Sequence, residues 1–292
     1  MINKKCLIKI ARRYLPRSVL FLEWILRKKT AILIDYPPLC KPRYGGGLDT
    51  HEKLEEIISR RNADYALLVD QFVSSYRSSF KSLKHIAPTS RTDPQVENDF
   101  IPEFDSFVLY ATLAKSAPNR YVEVGSGHST KFARRAIVDF DLDTKITSID
   151  PYPRSEIDLI CDVVIREKVE DIDLSYFEQL EKGDILFVDN SHRVFQNSDA
   201  TVCFIDILPL LKPGVLVQFH DITLPWDYPI EYGANRYYSE QYLLAAYILA
   251  MGSRFRIVLP NYYVTKSQKF SELLKSTGQK NPFGSSFWIE MC

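Results

Sequence analysis

The chain has 292 residues, of which 46% are hydrophobic and 25% are charged, as in an ordinary globular protein. Its net charge is zero, so no global field favours nucleic acid and none is expected as a partner. No apolar run reaches the ~20 residues that a membrane-spanning helix needs. The basic start lacks the apolar core and the small-residue cleavage site of a signal peptide.

The five cysteines are scattered along the chain, at positions 6, 40, 161, 203 and 292. Two of them, Cys161 and Cys203, lie in segments whose neighbours are typical of a core. This spacing argues against a disulfide framework and against a zinc knuckle. It predicts a reducing compartment, and hence a cytoplasmic protein.

The first 30 residues carry nine Lys or Arg and one Glu, and they form a basic, partly amphipathic helical stretch. One interpretation is a solvated helix face. The other is peripheral contact with anionic lipid, because Phe21 and Trp24 lie beside a basic run at 27–29. Further helices are predicted from Asp49 or Thr50, with a break near Asn62, and from about Phe104.

A polar segment with three prolines, residues 87–103, predicts a domain boundary. Residues 1–92 would form a helical N-terminal region, and residues 93–292 a second domain.

From Arg120 the chain alternates between short apolar runs and helical patterns, which predicts a parallel sheet with right-handed crossovers. One helix is predicted after Gly127 and another from Ser239. The last strand follows a longer excursion and can return antiparallel. The fold class is therefore α/β: a Rossmann-like, mostly parallel seven-stranded sheet with helices on both faces, preceded by a helical region. The predicted strands are 120–124, 145–150, 162–166, 184–189, 215–220, 255–259 and 286–291.

Polar residues follow the predicted strands at the edge where open α/β sheets bind ligands. The ends carry Gly125, Ser126, Gly127 and His128; then Asp150; then Asp189 with His192; then His220 and Asp221. Three of the five histidines fall at these ends. This pairing of His with Asp points to a site at the carboxyl edge.

The glycine loop and Asp150 together indicate a nucleoside-bearing ligand. Gly125 and Gly127 let the backbone approach a ligand closely, and the helix that follows offers free N–H groups. Asp150, at the end of the next strand, can accept both hydroxyls of a ribose. Each feature alone is also explained by a tight turn or a solvated strand end.

Two residues narrow the class of ligand that this site would bind. Thr130 stands where the third glycine of a dinucleotide fingerprint would be, which disfavours a dinucleotide. Glu123 lies inside the first strand, where a carboxylate is expensive to bury unless it meets a cation or several donors. An α-amino group on the ligand would supply that cation.

Several motifs of residues 93–292 resemble the series found in class I S-adenosylmethionine-dependent methyltransferases. The later segments Leu224-Pro-Trp-Asp-Tyr-Pro229 and Glu240-Gln-Tyr-Leu-Leu244 resemble one bacterial subgroup, which is distantly similar to antibiotic-tailoring sugar O-methyltransferases. The motifs are Glu123-Val-Gly-Ser-Gly, Ile149-Asp150, Asp189-Asn-Ser-His192 and Lys212-Pro-Gly-Val-Leu-Val-Gln-Phe-His-Asp221.

The resemblance implies a role for each matching residue. Glu123 would hold the methionine amino group, and Gly125, Ser126 and Gly127 would pass beneath the methionine and ribose. Asp150 would bind the ribose hydroxyls, and residues 169–171, including Asp171, would flank the adenine. Asp189 would end the strand nearest the transferred methyl group, with His192 facing the acceptor.

The same resemblance raises the question of a metal. In the distant sugar methyltransferases a magnesium ion is held by acids that match Asp189 and positions 220–221. Here His220 precedes Asp221, and an Asp/His/Asp set suits manganese, iron or zinc at least as well as magnesium. The alternative is that His220 and Asp221 hydrogen-bond the loop above them.

His192 has two interpretations. As a general base, its neutral imidazole would take the acceptor's hydroxyl proton near pH 7. As a structural residue, it would cap a helix that begins near Asp199.

Residues 222–238 form a long connection that begins directly after Asp221. It is rich in aromatic residues, among them Trp226 and Tyr228, so disorder is not expected. It is predicted to be a lid that covers the acceptor. Alternatively, its aromatic side chains pack on the N-terminal helices and serve stability.

The function predicted from the sequence is methyl transfer from S-adenosylmethionine to oxygen on a small-molecule or glycan-like acceptor. One alternative is a binding or scaffold protein that kept the fold without turnover. The other is a nicotinamide-dependent oxidoreductase, which Thr130 and the absence of an evident hydride-transfer pair disfavour. Fold alone would not choose among these classes.

Overall fold

The structure is a computed structural model, and it describes residues 36, 39–85, 90–153, 155–250 and 254–292. The chain divides into two compact units, Met1–Cys40 and Lys41–Cys292. The basic helix and the lipid contact predicted for residues 1–30 lie outside the described residues. Within the described ranges, no helix is long and apolar enough to cross a membrane.

Two helices precede the sheet, α1 (Glu52–Ser59) and α2 (Asn62–Ser82). The His51 ring accepts the Leu54 N–H and so caps α1. The chain breaks between the two helices next to Asn62, as predicted. Both helices belong to the same compact unit as the sheet, and the predicted domain division at residue 92 stays a prediction.

Helix α3 (Glu103–Ser116) packs between α2 and α4 (His128–Asp139). An aromatic cluster joins the three helices, since the Phe80 ring lies 5.4 Å from Phe107, 5.6 Å from Tyr110 and 6.0 Å from Phe132. Such ring pairs add to the stability that comes from burying their apolar area.

The seven predicted strands are all present, in the order β3-β2-β1-β4-β5-β7-β6. Only β7 runs antiparallel, to both β5 and β6. The mostly parallel, Rossmann-like sheet predicted from the sequence is confirmed. The strands are β1 (Arg120–Val124), β2 (Lys145–Ile149), β3 (Val163–Ile165), β4 (Ile185–Val188), β5 (Leu216–Phe219), β6 (Phe255–Pro260) and β7 (Phe287–Met291).

The strand order reverses at β1, because β2 lies on one side of it and β4 on the other. Ladder bonds continue past the strands: Gly125 N donates to the Ile149 carbonyl, and Asp189 N donates to the Val124 carbonyl. The residues that follow β1, β2 and β4 therefore meet at one edge. A reversal of this kind is where open α/β sheets bind ligands.

The remaining helices are short. Residues 222–238, predicted to be a long connection, contain one helical element, α7. The predicted helix after Ser239 is α8, and the Ser239 and Glu240 N–H groups donate to the His192 carbonyl at its start. These helices are α5 (Ser175–Glu178), α6 (Asp199–Val202, continued as a π-helix by Cys203–Ile207), α7 (Ile230–Arg236), α8 (Glu240–Leu249), α9 (Asn261–Lys266) and α10 (Ser271–Ser276), with 3-10 turns at Leu83–His85, Asp158–Ile160, Val169–Asp171, Leu208–Leu210 and Gln268–Phe270.

Candidate active site

A cleft of about 350 Å³ opens at the carboxyl edge where the strand order reverses, and we call it the first cleft. It brings together six of the residues predicted at strand ends, from β1, β2 and β4. They are Gly125, Ser126, Gly127, His128, Asp150 and Asp189.

Gly125 is required by the approach of two strand ends. Its φ is +82°, and a Cβ there would lie 1.9 Å from the Asp189 carbonyl oxygen. No side chain can be accommodated at that distance, and an L-residue would be strained at this φ. At Gly127 a Cβ would meet nothing within 4 Å. The loop therefore packs tightly at Gly125 and faces open space at Gly127.

Asp150 organises the loops around the first cleft. Its Oδ2 accepts the Ser126 N–H at 2.9 Å, and its Oδ1 accepts the Tyr152 N–H at 2.7 Å. A carboxylate has about four acceptor positions, so both oxygens can accept further donors. The Asp150 side chain thus fixes the glycine loop and still has capacity for a ligand.

Glu123 lies behind the cleft and is fully buried. Its carboxyl group contacts the Tyr121 hydroxyl, at 2.8 Å, and the Thr130 hydroxyl, which in turn accepts the Gly127 N–H at 3.0 Å. Burial raises the pKa of Glu123 to about 7, against the lowering effect of these hydroxyl donors. Glu123 therefore secures the glycine loop, and its contact with a ligand amino group stays a prediction.

On the far side of the first cleft, the 3-10 turn after β3 contributes Lys168, Val169 and Glu170. Asp171, which the resemblance placed beside an adenine, is not among the residues that line this cleft. The contact of residues 169–171 with an adenine stays a prediction.

His192 is 2% exposed and joins several acids. Its Nδ1 contacts a carboxylate oxygen of Glu240, at the start of α8. Its Nε2 lies 3.2 Å from Asp189 Oδ1 and 3.7 Å from Asp221 Oδ2. Both His192 and Asp221 have positive φ, +61° and +54°. Non-glycine residues held in this region are strained, and such strain concentrates at functional sites.

The acids determine the charge of His192. Burial by itself lowers the pKa of the imidazole, but Glu240 and Asp189 outweigh it and raise the pKa well above its ordinary value. These acids favour the protonated imidazole, and the role of His192 as a general base stays a prediction. The alternative that His192 caps the helix near Asp199 is wrong, because the Ser198 side chain caps that helix.

The predicted metal ligands Asp189, His220 and Asp221 do converge, but they pair with one another. His220 Nδ1 lies 3.4 Å from Asp221 Oδ1 and 3.8 Å from Asp189 Oδ1, and Asp221 also accepts the Ser285 hydroxyl. Burial lowers the pKa of His220, but these carboxylates and that of buried Asp105 raise it to about 9.

No group of three or more His, Cys, Asp or Glu among the described residues is arranged to hold a metal ion. The metal predicted at Asp189, His220 and Asp221 is therefore not supported by the arrangement of these side chains.

A second cleft of about 320 Å³ lies beside the first and includes Asp221. Phe100 lines both clefts. Apart from Asp221, the second cleft presents aromatic rings, carboxamides and two acids at its margin. Its lining residues are Asn98, Asp99, Phe100, Ile101, Pro102, Glu103, Asp221, Tyr232, Asn281 and Phe283.

Residues 222–238 were predicted to be an aromatic lid. Within this segment, Tyr232 in α7 lines the second cleft. Trp226 packs instead near Tyr262 and Tyr263, with ring centroids 5.6 and 6.3 Å away. Tyr228 is buried among neighbouring tyrosines. The structure therefore brings a different aromatic residue of this segment to the cleft, and the lid role of Trp226 and Tyr228 stays a prediction.

Sequence reasoning did not assign a site role to Glu240 or Phe100, and it included Tyr232 only as a member of the predicted lid segment. Glu240 carried one usable signal, an acid on the apolar helix that follows Ser239. Phe100 is a single aromatic residue in a polar segment, and this pattern is common on surfaces.

Comparison with known proteins agrees with this geometry. Residues 122–222 match the family model described as a methyltransferase domain. An uncharacterised protein of Archaeoglobus fulgidus is 34% identical over 92 residues, which are 30% of this chain and 42% of that protein. The chain thus spans less than half of the length of this curated relative.

Two solved structures are similar at low identity. An O-methyltransferase of Bacillus cereus, in complex with S-adenosylhomocysteine, is 14% identical with a TM-score of 0.41, covering 75% of this chain and 100% of that one. A methyltransferase of Podospora anserina, also bound to S-adenosylhomocysteine, is 13% identical with a TM-score of 0.41, covering 85% and 100%.

The family match begins within β1, spans β2, β3, β4 and β5, and includes the strand ends that line the first cleft. It agrees with the resemblance inferred from the motifs: residues 122–222 of this chain are similar to a methyltransferase domain.

Proposed function

We propose that this protein transfers the methyl group of S-adenosylmethionine to a hydroxyl oxygen of a small, uncharged, glycan-like acceptor. One observation carries the proposal: the two clefts share Phe100 in their linings, and the buried His192 Nε2 lies 3.2 Å from Asp189 of the first cleft and 3.7 Å from Asp221 of the second. A donor and an acceptor held in the two clefts would meet near these two carboxylates, which both contact the imidazole.

S-adenosylmethionine occupies the first cleft in this proposal. Asp150 accepts the ribose hydroxyls with the acceptor capacity that its two backbone contacts leave. The open space at Gly127 admits the methionine part, and the turn at Lys168 and Val169 flanks the adenine. Glu123 acts on the methionine end through the glycine loop that it secures.

The acceptor occupies the second cleft. The rings of Tyr232 and Phe283 offer apolar surface, and the carboxamides of Asn98 and Asn281 offer donors and acceptors, a combination suited to hydroxylated rings. Two acids at this cleft have ion-pair partners: Glu103 lies 2.6 Å from Lys84, and Asp221 lies 3.4 Å from His220. An uncharged acceptor fits these paired charges better than an ionised one, which would find no unpaired counter-charge there.

His192 accepts the proton. As the acceptor oxygen forms its bond to the methyl carbon, the bond from that carbon to sulfur breaks, and the hydroxyl proton passes to His192 Nε2. Glu240 holds Nδ1 and so orients the ring. Because neighbouring acids raise the pKa of His192, this step needs the ring to lose its proton first. Asp189 and Asp221 then position the hydroxyl, and most of the rate enhancement comes from that positioning.

Calorimetry tests the cofactor site. We expect S-adenosylhomocysteine to bind, and Asp150→Ala to weaken binding by roughly 1–3 kcal/mol, the cost of lost hydrogen bonds to a charged partner. Asp64→Ala is the matched control, because it removes the same charge from α2, away from both clefts. Tight binding of a nicotinamide dinucleotide, without heat from either S-adenosyl compound, would contradict the methyltransferase function.

Turnover separates the enzyme from a binding protein. Purified protein with S-adenosylmethionine and a panel of hydroxylated acceptors should produce S-adenosylhomocysteine. Binding of the cofactor without turnover on neutral glycans, amino sugars or phenols would favour the non-catalytic alternative.

A further inference from the structure

We infer that Phe100 lets the protein distinguish the charged methyl donor from the neutral product, because its ring faces the sulfonium where the two clefts meet. This inference rests on the proposed function and deepens it, since it names a residue that would determine the preference between two cofactor states.

The position of Phe100 carries the first step. Its side chain lines both clefts, and it is 51% exposed. In the proposed function, the methyl group passes from a donor in the first cleft to an acceptor in the second, and Phe100 is the residue that appears in both linings. The sulfonium is therefore placed within reach of the Phe100 ring.

The ring is held in place from two sides. It stacks on His128, with ring centroids 4.8 Å apart and 15° between the planes. The Asn98 side-chain oxygen accepts both the Phe100 and the Ile101 N–H at 2.9 Å, and Ile101 is buried. The ring is thus presented by an ordered turn and does not depend on a flexible loop.

The chemistry of the ring supplies the discrimination. The face of an aromatic ring carries negative potential and attracts a cation that lies within ~6 Å of its centroid. The sulfonium of S-adenosylmethionine is such a cation, whereas the thioether of S-adenosylhomocysteine is neutral. The attraction is present before methyl transfer and absent afterwards, so it favours donor binding over product retention.

Nearby carboxylates also favour a positive charge, and they must be separated from the ring. Asp189 lines the first cleft and Asp221 the second. Both remain unchanged when Phe100 is replaced. A substitution that removes only the aromatic face therefore isolates the contribution of the ring.

The experiment measures the dissociation constants of S-adenosylmethionine and S-adenosylhomocysteine for the wild type, Phe100→Leu and Phe100→Tyr. We expect Phe100→Leu to weaken the donor by about 3- to 10-fold, the range of a cation–π contact, and to change product affinity less than about twofold. Phe100→Tyr keeps the aromatic face and should keep the wild-type ratio. Phe283→Leu is the matched control, because that ring lines the second cleft only.

An unchanged ratio of the two dissociation constants in Phe100→Leu would overturn the inference. If both ligands are weakened equally, the ring contributes to cleft shape alone. If the leucine variant has a lower melting temperature, Phe100→Met provides the same comparison with a flexible side chain. Failure of the wild type to bind either compound would refute the proposed function, and this outcome is distinct from a changed ratio.

Discussion

The buried pair of Glu240 and His192 makes a strong prediction about stability. Glu240→Ala removes a carboxylate that is 1% exposed and contacts the His192 ring at Nδ1. The His192 ring that remains is 2% exposed, and the neighbouring acids favour its protonated form. It keeps Asp189 at 3.2 Å and Asp221 at 3.7 Å.

The magnitude follows from these contacts. Removing one partner of a buried ion pair costs roughly 3–5 kcal/mol, because the other charge stays buried. Since His192 retains Asp189, we expect the lower end, about 3 kcal/mol, and a melting temperature lower by roughly 6–12 °C for a chain of this size. Glu240→Gln keeps an acceptor for Nδ1 but loses the charge, so we expect about 1–2 kcal/mol.

The free energy that the His192–Glu240 pair contributes to folding should decrease as the pH rises. Neighbouring acids raise the folded-state pKa of His192 above its ordinary value, so the pair stabilises the fold fully below about pH 6.5, the unfolded value. This stabilisation is lost as the pH rises through the raised pKa. The difference in unfolding free energy between wild type and Glu240→Ala should therefore be larger at pH 6 than at pH 9. The raised pKa of His220 has the same sign in both proteins and largely cancels.

Urea unfolding at both pH values is the assay. Glu231→Ala is the matched control, because Glu231 is an exposed acid in the first turn of α7, as Glu240 is in the first turn of α8. A Glu240→Ala penalty no larger than that of Glu231→Ala, or one that grows from pH 6 to pH 9, would refute the ion-pair reasoning.

Three further predictions concern the clefts. Gly125→Ala should destabilise the protein by more than about 3 kcal/mol in thermal unfolding, because its Cβ would meet a carbonyl oxygen at 1.9 Å. Gly46 is also at positive φ but has open space around it, so Gly46→Ala should cost about 1 kcal/mol. His192→Asn should lower turnover by about 10²–10⁴, and wild-type turnover should rise with pH above neutrality; a rate that falls over this range would exclude His192 as base. Tyr232→Ala should raise the acceptor KM at constant melting temperature, whereas Trp226→Ala should lower the melting temperature; the reverse pattern would restore Trp226 as the lid residue.

The sequence by itself determined the sheet and the edge that carries the site. Buried parallel strands are short apolar runs closed by turn residues, so each strand leaves a local signal, and all seven were located to within about a residue or two. The carboxyl ends of such strands meet at one edge, and Gly125, Asp150 and Asp189 were therefore expected together. The geometry of the first cleft agrees with that expectation.

Only the tertiary structure decided what surrounds these strand ends. Glu240 lies 48 residues after His192 and reaches it because α8 packs beside that loop. The charge of the imidazole depends on this contact, and no local pattern reports it. Phe100 precedes the sheet, yet it stands at the junction of both clefts. Contacts between residues far apart in the chain depend on how helices and loops pack on the sheet. The hydrophobic pattern predicts the strands, but it does not say which polar side chains that packing brings together.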